Sequence, residues 1–340
     1  MEDYAAIIVP HFQDADKARE FLEMKRWPEG PICPHCGVIG EAYKLRADLD
    51  NKDAKGHGRK GLHKCAGCRE QFTVTVGTVM EDSHIPLHKW LYAFHLLCAS
   101  KKGMSAHQLH RMLGVTYKSA WFMAHRIRYA MTQEPLSSKL DGIVEIDEAY
   151  IGGKRRAKNN QTNGPDMIQI GKRTFSKRVR NTKGLDPFKD KAPVLYLVQR
   201  GGKVRSMHIE RVTQENLRPV LDKYLAEGVH VMTDSSSVLT SMNVGAKHDT
   251  VNHSAKEYVR YENGVCITTN TVEGYFATLK RGIDGVYHHV SKRHLNRYLS
   301  EFDFRYNSRE VSDVERRDLA IKQIGGKRLK YRDSSGQATA

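Results

Sequence analysis

At 340 residues the chain is longer than one hydrophobic core usually serves, so two or three domains are expected. Fifty-five Lys and Arg against 39 Asp and Glu give a formal charge of +16, which points to a polyanionic partner. A membrane protein is excluded, because the longest apolar stretch, residues 91–99, is broken by His95 and reaches about half of the roughly 20 residues a bilayer requires. The N-terminal MEDYAAIIVP carries acids where a secretory signal carries Lys or Arg, so a cytoplasmic, nucleoid-associated location is expected.

Residues 1–80 read as an N-terminal helix and a zinc ribbon. Cys33-Pro-His-Cys36-Gly and Cys65-Ala-Gly-Cys68 are two CxxC knuckles whose spacing lets four thiolates surround one zinc ion at about 2.3 Å. The 28 residues between the knuckles exceed the usual gap, and a polar loop over 48–61 accounts for the excess. His35, His57 and His63 are alternative zinc ligands but read first as solvated or DNA-facing side chains, and Cys98 and Cys266 as buried thiols. Period-2 alternation over 71–77 predicts a strand closing the ribbon.

Helical spacing then dominates residues 81–138. Helices are predicted over 87–100, over 105–113 with Leu109, Met112 and Leu113 on one face, and from Tyr117 to about Met131. Gly114 breaks the second helix and Thr116 caps the third, in which Ala120, Met123, Ala124 and Ile127 face inward. Lys118, Ser119, Trp121, His125 and Arg128 then form an outer face suited to a DNA major groove, the helix-turn-helix arrangement. A helical hairpin packed on the next domain is the bland alternative, with Trp121 as a packing residue.

Residues 139–312 carry the candidate chemistry. A strand ends at Asp147, with a turn at 150–153, and a basic insertion follows at 154–191 with twelve Lys or Arg against three Asp. That segment, with Lys154, Arg155 and Arg156 at its start, reads as a loop contacting phosphates, although charge runs are usually only solvated. Strands at 192–200 and 203–212 join at Gly201-Gly202, a helix opens at Thr213, and a further strand ends at Asp234. This order predicts an α/β mixed sheet with flanking helices. A later helix holds Glu273, with Val272, Tyr275, Phe276 and Leu279 facing the sheet and Lys280 two turns beyond Glu273 on one edge. Three oxygen ligands from Asp147, Asp234 and Glu273 suit a pair of magnesium or manganese ions. Glu145 and Glu148 read as salt-bridge partners, Glu145 sharing a strand face with Asp147. Residues 313–340 read as a basic, largely flexible tail.

These blocks together resemble a DDE transposase of a bacterial insertion sequence, in the branch with an N-terminal zinc ribbon. The resemblance rests on CPHCG and KCAGC, VEIDEAYIGGK around Asp147, TD at Asp234, TNTVEGYFATLKRGIDGVYHH around Glu273, and HLNRYLSEFDFRYNSR. It implies a ribonuclease H-like catalytic domain with Asp147, Asp234 and Glu273 as the acid triad. It also implies Lys280 as a DNA contact, Asn270 as a helper, and Cys33, Cys36, Cys65 and Cys68 as ligands of structural zinc. The expected activity is binding of element ends, phosphodiester cleavage and joining of 3′-hydroxyl ends to target DNA, by a homo-oligomer on double-stranded DNA. A non-catalytic DNA-binding regulator and a structure-specific nuclease are the alternatives.

Overall fold

The computed structural model describes residues 9–45, 60–133, 138–152, 167–170, 173–176, 191–235, 237–242 and 244–331. Helix α1 (Ala15–Arg26) begins at Asp14, whose carboxylate accepts the N–H groups of Asp16 and Lys17 at 2.8 Å. Strands β1 (Ala42–Lys44), β2 (His63–Cys65) and β3 (Gln71–Phe72) form a small antiparallel sheet in that order. β3 is shorter than alternation over 71–77 predicts. From Thr73 the chain turns instead, with the Thr78 hydroxyl donating to the Thr75 carbonyl at 2.6 Å and Val74 entering the core.

Helices α2 (Leu87–Ala99), α3 (Ala106–Leu113) and α4 (Tyr117–Ala130) follow as expected. Ser105 caps α3 by accepting the Gln108 N–H, and Thr116 caps α4 by accepting the Ser119 N–H. Gly114 ends α3 in the left-handed conformation at φ 58°, which glycine adopts without steric cost. Leu109 and Leu113 are buried, but Met112 is 45 % exposed and does not share their face.

The larger sheet is built from β4 (Ile143–Ile151), which precedes a separate hairpin of β5 (Met167–Ile170) and β6 (Arg173–Ser176). This hairpin falls inside the segment read as a loop over 154–191. Then come β7 (Ala192–Gln199), β8 (Val204–His208), α5 (Gln214–Tyr224), β9 (His230–Asp234), the one-turn α6 (Ser237–Thr240) and β10 (Lys247–Val251). The strand order is β10-β9-β4-β7-β8, with β4–β7 and β7–β8 antiparallel and β4–β9 and β9–β10 parallel. Three antiparallel strands followed by two parallel ones on the far side of the first is the ribonuclease H-like arrangement. A hairpin, β11 (Val259–Glu262) and β12 (Val265–Thr268), leads into α7 (Asn270–Gly282), followed by α8 (Lys292–Asn307) and α9 (Asp313–Lys322).

The sheet is buried on both faces, which explains the unbroken apolar run of β7. Val194, Tyr196 and Val198 pack against α7 and α8, while Leu195 and Leu197 face Leu217 and Leu221 of α5. Each such side chain removed from water contributes about 1.5–3 kcal/mol. A separate cluster unites α1, the ribbon, α2, α3, α4 and α9.

The chain from 313 to 331 differs from the flexible tail expected of it. Ser312 and Glu315 form a reciprocal capping box at the start of α9, and Ala320, Ile321 and Ile324 enter that cluster. Its charged residues conceal this, because Arg317 buries its stem and places its guanidinium over Phe12 and Phe21 while pairing with Asp318 at 2.7 Å. Among the described residues, no helix is long and apolar enough to cross a membrane.

Candidate active site

Parallel pairing of β4 with β9 runs from Ile143↔His230 to Ile146↔Thr233, so the next residues, Asp147 and Asp234, lie level on adjacent strands. Asp147 is not at a strand end as expected. β4 continues to Ile151 beside β7, and Asp147 stands where its pairing with β9 stops. Asp147, Glu148 and Asp234 each offer a carboxylate oxygen within 4.8 Å of the others. Burial, then the negative charge of Asp234, pushes the Asp147 carboxyl up to about 7; Glu148 and Glu273 add smaller repulsions. A carboxylate whose neighbours disfavour its charge is suited to a divalent cation, and an all-oxygen donor set fits magnesium or manganese.

Glu148 is a member of this cluster that sequence reasoning assigned to a salt bridge. Strand alternation points it away from Asp147, and its backbone N–H nevertheless donates to Asp147 Oδ1 at 2.7 Å. Glu273 lies in the first turn of α7 but outside the 4.8 Å set. It accepts the Thr269 hydroxyl at 3.1 Å, and its Oε1 is 3.5 Å from His253 Nε2. His253 had no signal in the sequence beyond being a histidine in a loop. Asn270 is the exposed first residue of α7, and Lys280 is exposed two turns past Glu273 with its ammonium 4.4 Å from the Phe276 ring centroid. Lys154, Arg155 and Arg156 lie outside the described residues.

The ribbon brings Cys33, Cys36, Cys65 and Cys68 together, with Sγ–Sγ separations of 3.6 Å for Cys33–Cys68 and Cys36–Cys65. Tetrahedral thiolates at about 2.3 Å from zinc stand about 3.8 Å apart, so the four sulfurs fit that ion.

On α4 the expected outer face is only partly outside. Lys118 is exposed, with its ammonium 4.6 Å from the Tyr331 ring centroid, and Ser119 is half-buried beside Thr116. Trp121 is half-buried, 4.2 Å from His125 and 5.5 Å from His294 between ring centroids. His125 and Arg128 are buried and cannot meet DNA in this arrangement. Arg128 instead donates to Glu301 of α8 at 2.6 Å and lies over the Tyr298 ring. Helical periodicity assigns one buried face, whereas α4 is covered on a second side by α8.

Two family models match this chain: the ISXO2-like transposase domain over residues 139–307 and the transposase zinc-ribbon domain over residues 13–71. The chain belongs to this transposase family. Together the two matches span about two thirds of the transposase, one over the sheet that carries Asp147 and Asp234 and the other over the four-cysteine ribbon. It is also similar to an uncharacterized protein in transposable element ISH50 of Halobacterium salinarum, 26% identical over 305 residues, which are 86% of this chain and 91% of that protein. No solved structure matches.

Proposed function

We propose that this transposase binds the ends of its element, cleaves phosphodiester bonds there and joins the freed 3′-hydroxyls to target DNA with two divalent ions. The observation that carries the reading is the convergence of Asp147 and Asp234 from neighbouring parallel strands in a chain of charge +16. Asp147, Asp234 and Glu148 would hold the ions from the sheet, with Glu273 on the first turn of α7. The chemistry such ions supply is activation of the attacking water or 3′-hydroxyl and stabilisation of the leaving oxygen, with no covalent protein intermediate. Glu273 would serve as a further ligand once its hydrogen bond with Thr269 is released. Asn270 assists at the start of α7.

DNA is held by Lys280 beside the acids, by Lys118, Ser119 and Trp121 on the N-terminal half of α4, and by Lys154, Arg155 and Arg156. A multimer forms on DNA because two ends must be joined in one event. The test is cleavage of duplexes carrying candidate element ends in magnesium or manganese. Asp147→Asn and Asp234→Asn should each slow cleavage by roughly a thousandfold or more while end binding, read by fluorescence anisotropy, persists. Full-rate cleavage by either variant removes the proposal, and end binding by the wild-type chain without any cleavage leaves a DNA-binding regulator.

A further inference from the structure

Glu145 is fully buried two residues before Asp147 on β4, and its hydrogen bonds lead to Arg200 and to the start of α7. Its carboxylate accepts four hydrogen bonds. Three come from the start of α7: the Thr271 N–H at 2.7 Å, the Thr271 hydroxyl at 2.8 Å and the Val272 N–H at 3.0 Å. The fourth comes from Arg200 Nε at 2.7 Å, just past the end of β7. The first N–H groups of any helix lack partners within it, and α7 receives no side-chain cap from its own N-cap residue, Thr269. Glu145 supplies that cap from a different element, with its negative charge at the positive end of the helix.

Arg200 extends the same clamp. Its guanidinium also donates to the Cys266 carbonyl at 2.6 Å and the Thr268 carbonyl at 3.0 Å, so it holds the last strand before α7 as well. The connectivity gives this clamp a reach beyond packing. Val272, bonded to Glu145, is adjacent to Glu273, and Glu145 is two residues from Asp147. One buried carboxylate therefore joins the immediate chain neighbours of two acids that are 126 positions apart.

We propose that Glu145, with Arg200, is a positioning residue that fixes the distance between Glu273 on α7 and Asp147 on β4, and so sets the affinity of the acid cluster for divalent ions. The inference rests on the reading of Glu273 as a ligand. Replacing groups that orient metal ligands typically costs 10- to 100-fold in affinity or activity. Glu145→Gln keeps the volume, but each carboxylate oxygen accepts two of the four hydrogen bonds, so the NH2 that replaces one of them faces two donors.

The experiment compares Glu145→Gln, Glu273→Gln and the double variant in the full-length chain, reading manganese affinity by titration calorimetry, cleavage rate, and end binding by anisotropy. The expected result is a 10- to 100-fold loss in manganese affinity and cleavage for each single variant. End binding should change less than threefold, and the double variant should be no worse than Glu273→Gln alone, because Glu145 acts through it. Losses that multiply in the double variant, or a Glu145→Gln chain with wild-type manganese affinity beside an impaired Glu273→Gln, would overturn the positioning role and leave Glu273 as a ligand. An unimpaired Glu273→Gln would take down both readings. Should Glu145→Gln fail to fold, Thr271→Val removes one donor from the same clamp at nearly constant volume. That variant is expected to lose threefold or more in manganese affinity, and an unchanged value sinks the proposal.

Discussion

Two carboxylates in this molecule sit in opposite electrostatic settings. Glu301 on α8 is enclosed by Arg128 and Arg305 and accepts the Tyr287 hydroxyl at 2.7 Å; against the cost of its burial, the two guanidiniums hold it down to about 2. Asp147 is half-buried, and burial, then the negative charge of Asp234 with smaller repulsions from Glu148 and Glu273, pushes it up to about 7. The first arrangement pairs the acid with cations of its own chain and links α4 to α8. The second gathers like charges, which destabilises the fold unless a cation arrives. Such a gathering of acids in a chain with 16 surplus positive charges is what the proposed ion site calls for.

The sharpest way to break this contrast is to neutralise each carboxylate and compare signs. Glu301→Gln leaves Arg128 and Arg305 buried without their counter-charge, and loss of one partner from a buried ion pair costs about 3–5 kcal/mol. A drop in melting temperature on the order of 10 °C is expected by calorimetry. A shift under about 2 °C would mean the network contributes nothing to holding α4 in place.

Asp147→Asn should act in the other direction. In the absence of divalent ions it removes the cost of burying a charge and the repulsion from Asp234, Glu148 and Glu273, and a gain in stability on the order of 1 kcal/mol is expected even as cleavage is lost. A lowered melting temperature would contradict the like-charge account of this site.

The pH dependence separates the same two groups. Glu301 titrates near 2 in the folded chain against an ordinary value of 4.5, so its stabilisation is complete above about 4.5 and disappears as pH falls toward 2. Asp147 has its folded value raised from 3.8 to about 7, so between those limits the folded chain holds a proton that the unfolded chain releases. Its penalty is full above about 7 and fades as pH falls toward 4. The wild-type minus Asp147→Asn difference in unfolding free energy should therefore shrink from pH 8 to pH 4 in metal-free buffer, and a flat difference would refute the raised value.

Four strands of the sheet and its two aspartates were legible in the sequence because apolar, β-branched runs bounded by glycines mark them, although β4 continues past Asp147 and the edge strand β10, with its polar KHDTV, gave no such signal. The four cysteines were legible for the same reason, since local spacing encodes their geometry. What escaped was set by tertiary packing. His125 and Arg128 read as an outer face because a single helix cannot announce a second neighbour, here α8. Glu148 joined the acid cluster against strand alternation. The cap that Glu145 gives to Thr271 and Val272 spans 126 positions, and no local pattern foreshadows it. Residues from 313 onward looked like a charged tail because arginines such as Arg317 hide their apolar stems in the core.

Lys118 offers the smallest effect and the finest discrimination between charges that bind inward and those that bind outward. It sits in the first turn of α4 with its ammonium exposed above Tyr331, whereas Arg128, nearly three turns on, is buried against Glu301. If Lys118 neutralises a single phosphate, Lys118→Ala should lower the slope of log affinity against log salt by about 1, with affinity falling a few-fold at moderate salt. Its melting temperature should stay within about 1 °C of wild type, because no buried group loses a partner. A Lys118→Ala chain with an unchanged salt slope would place the DNA path away from α4 altogether. The exposed lysine would then be only a solvated charge packed on an aromatic ring, and the basic residues near the acid cluster would have to carry the duplex alone.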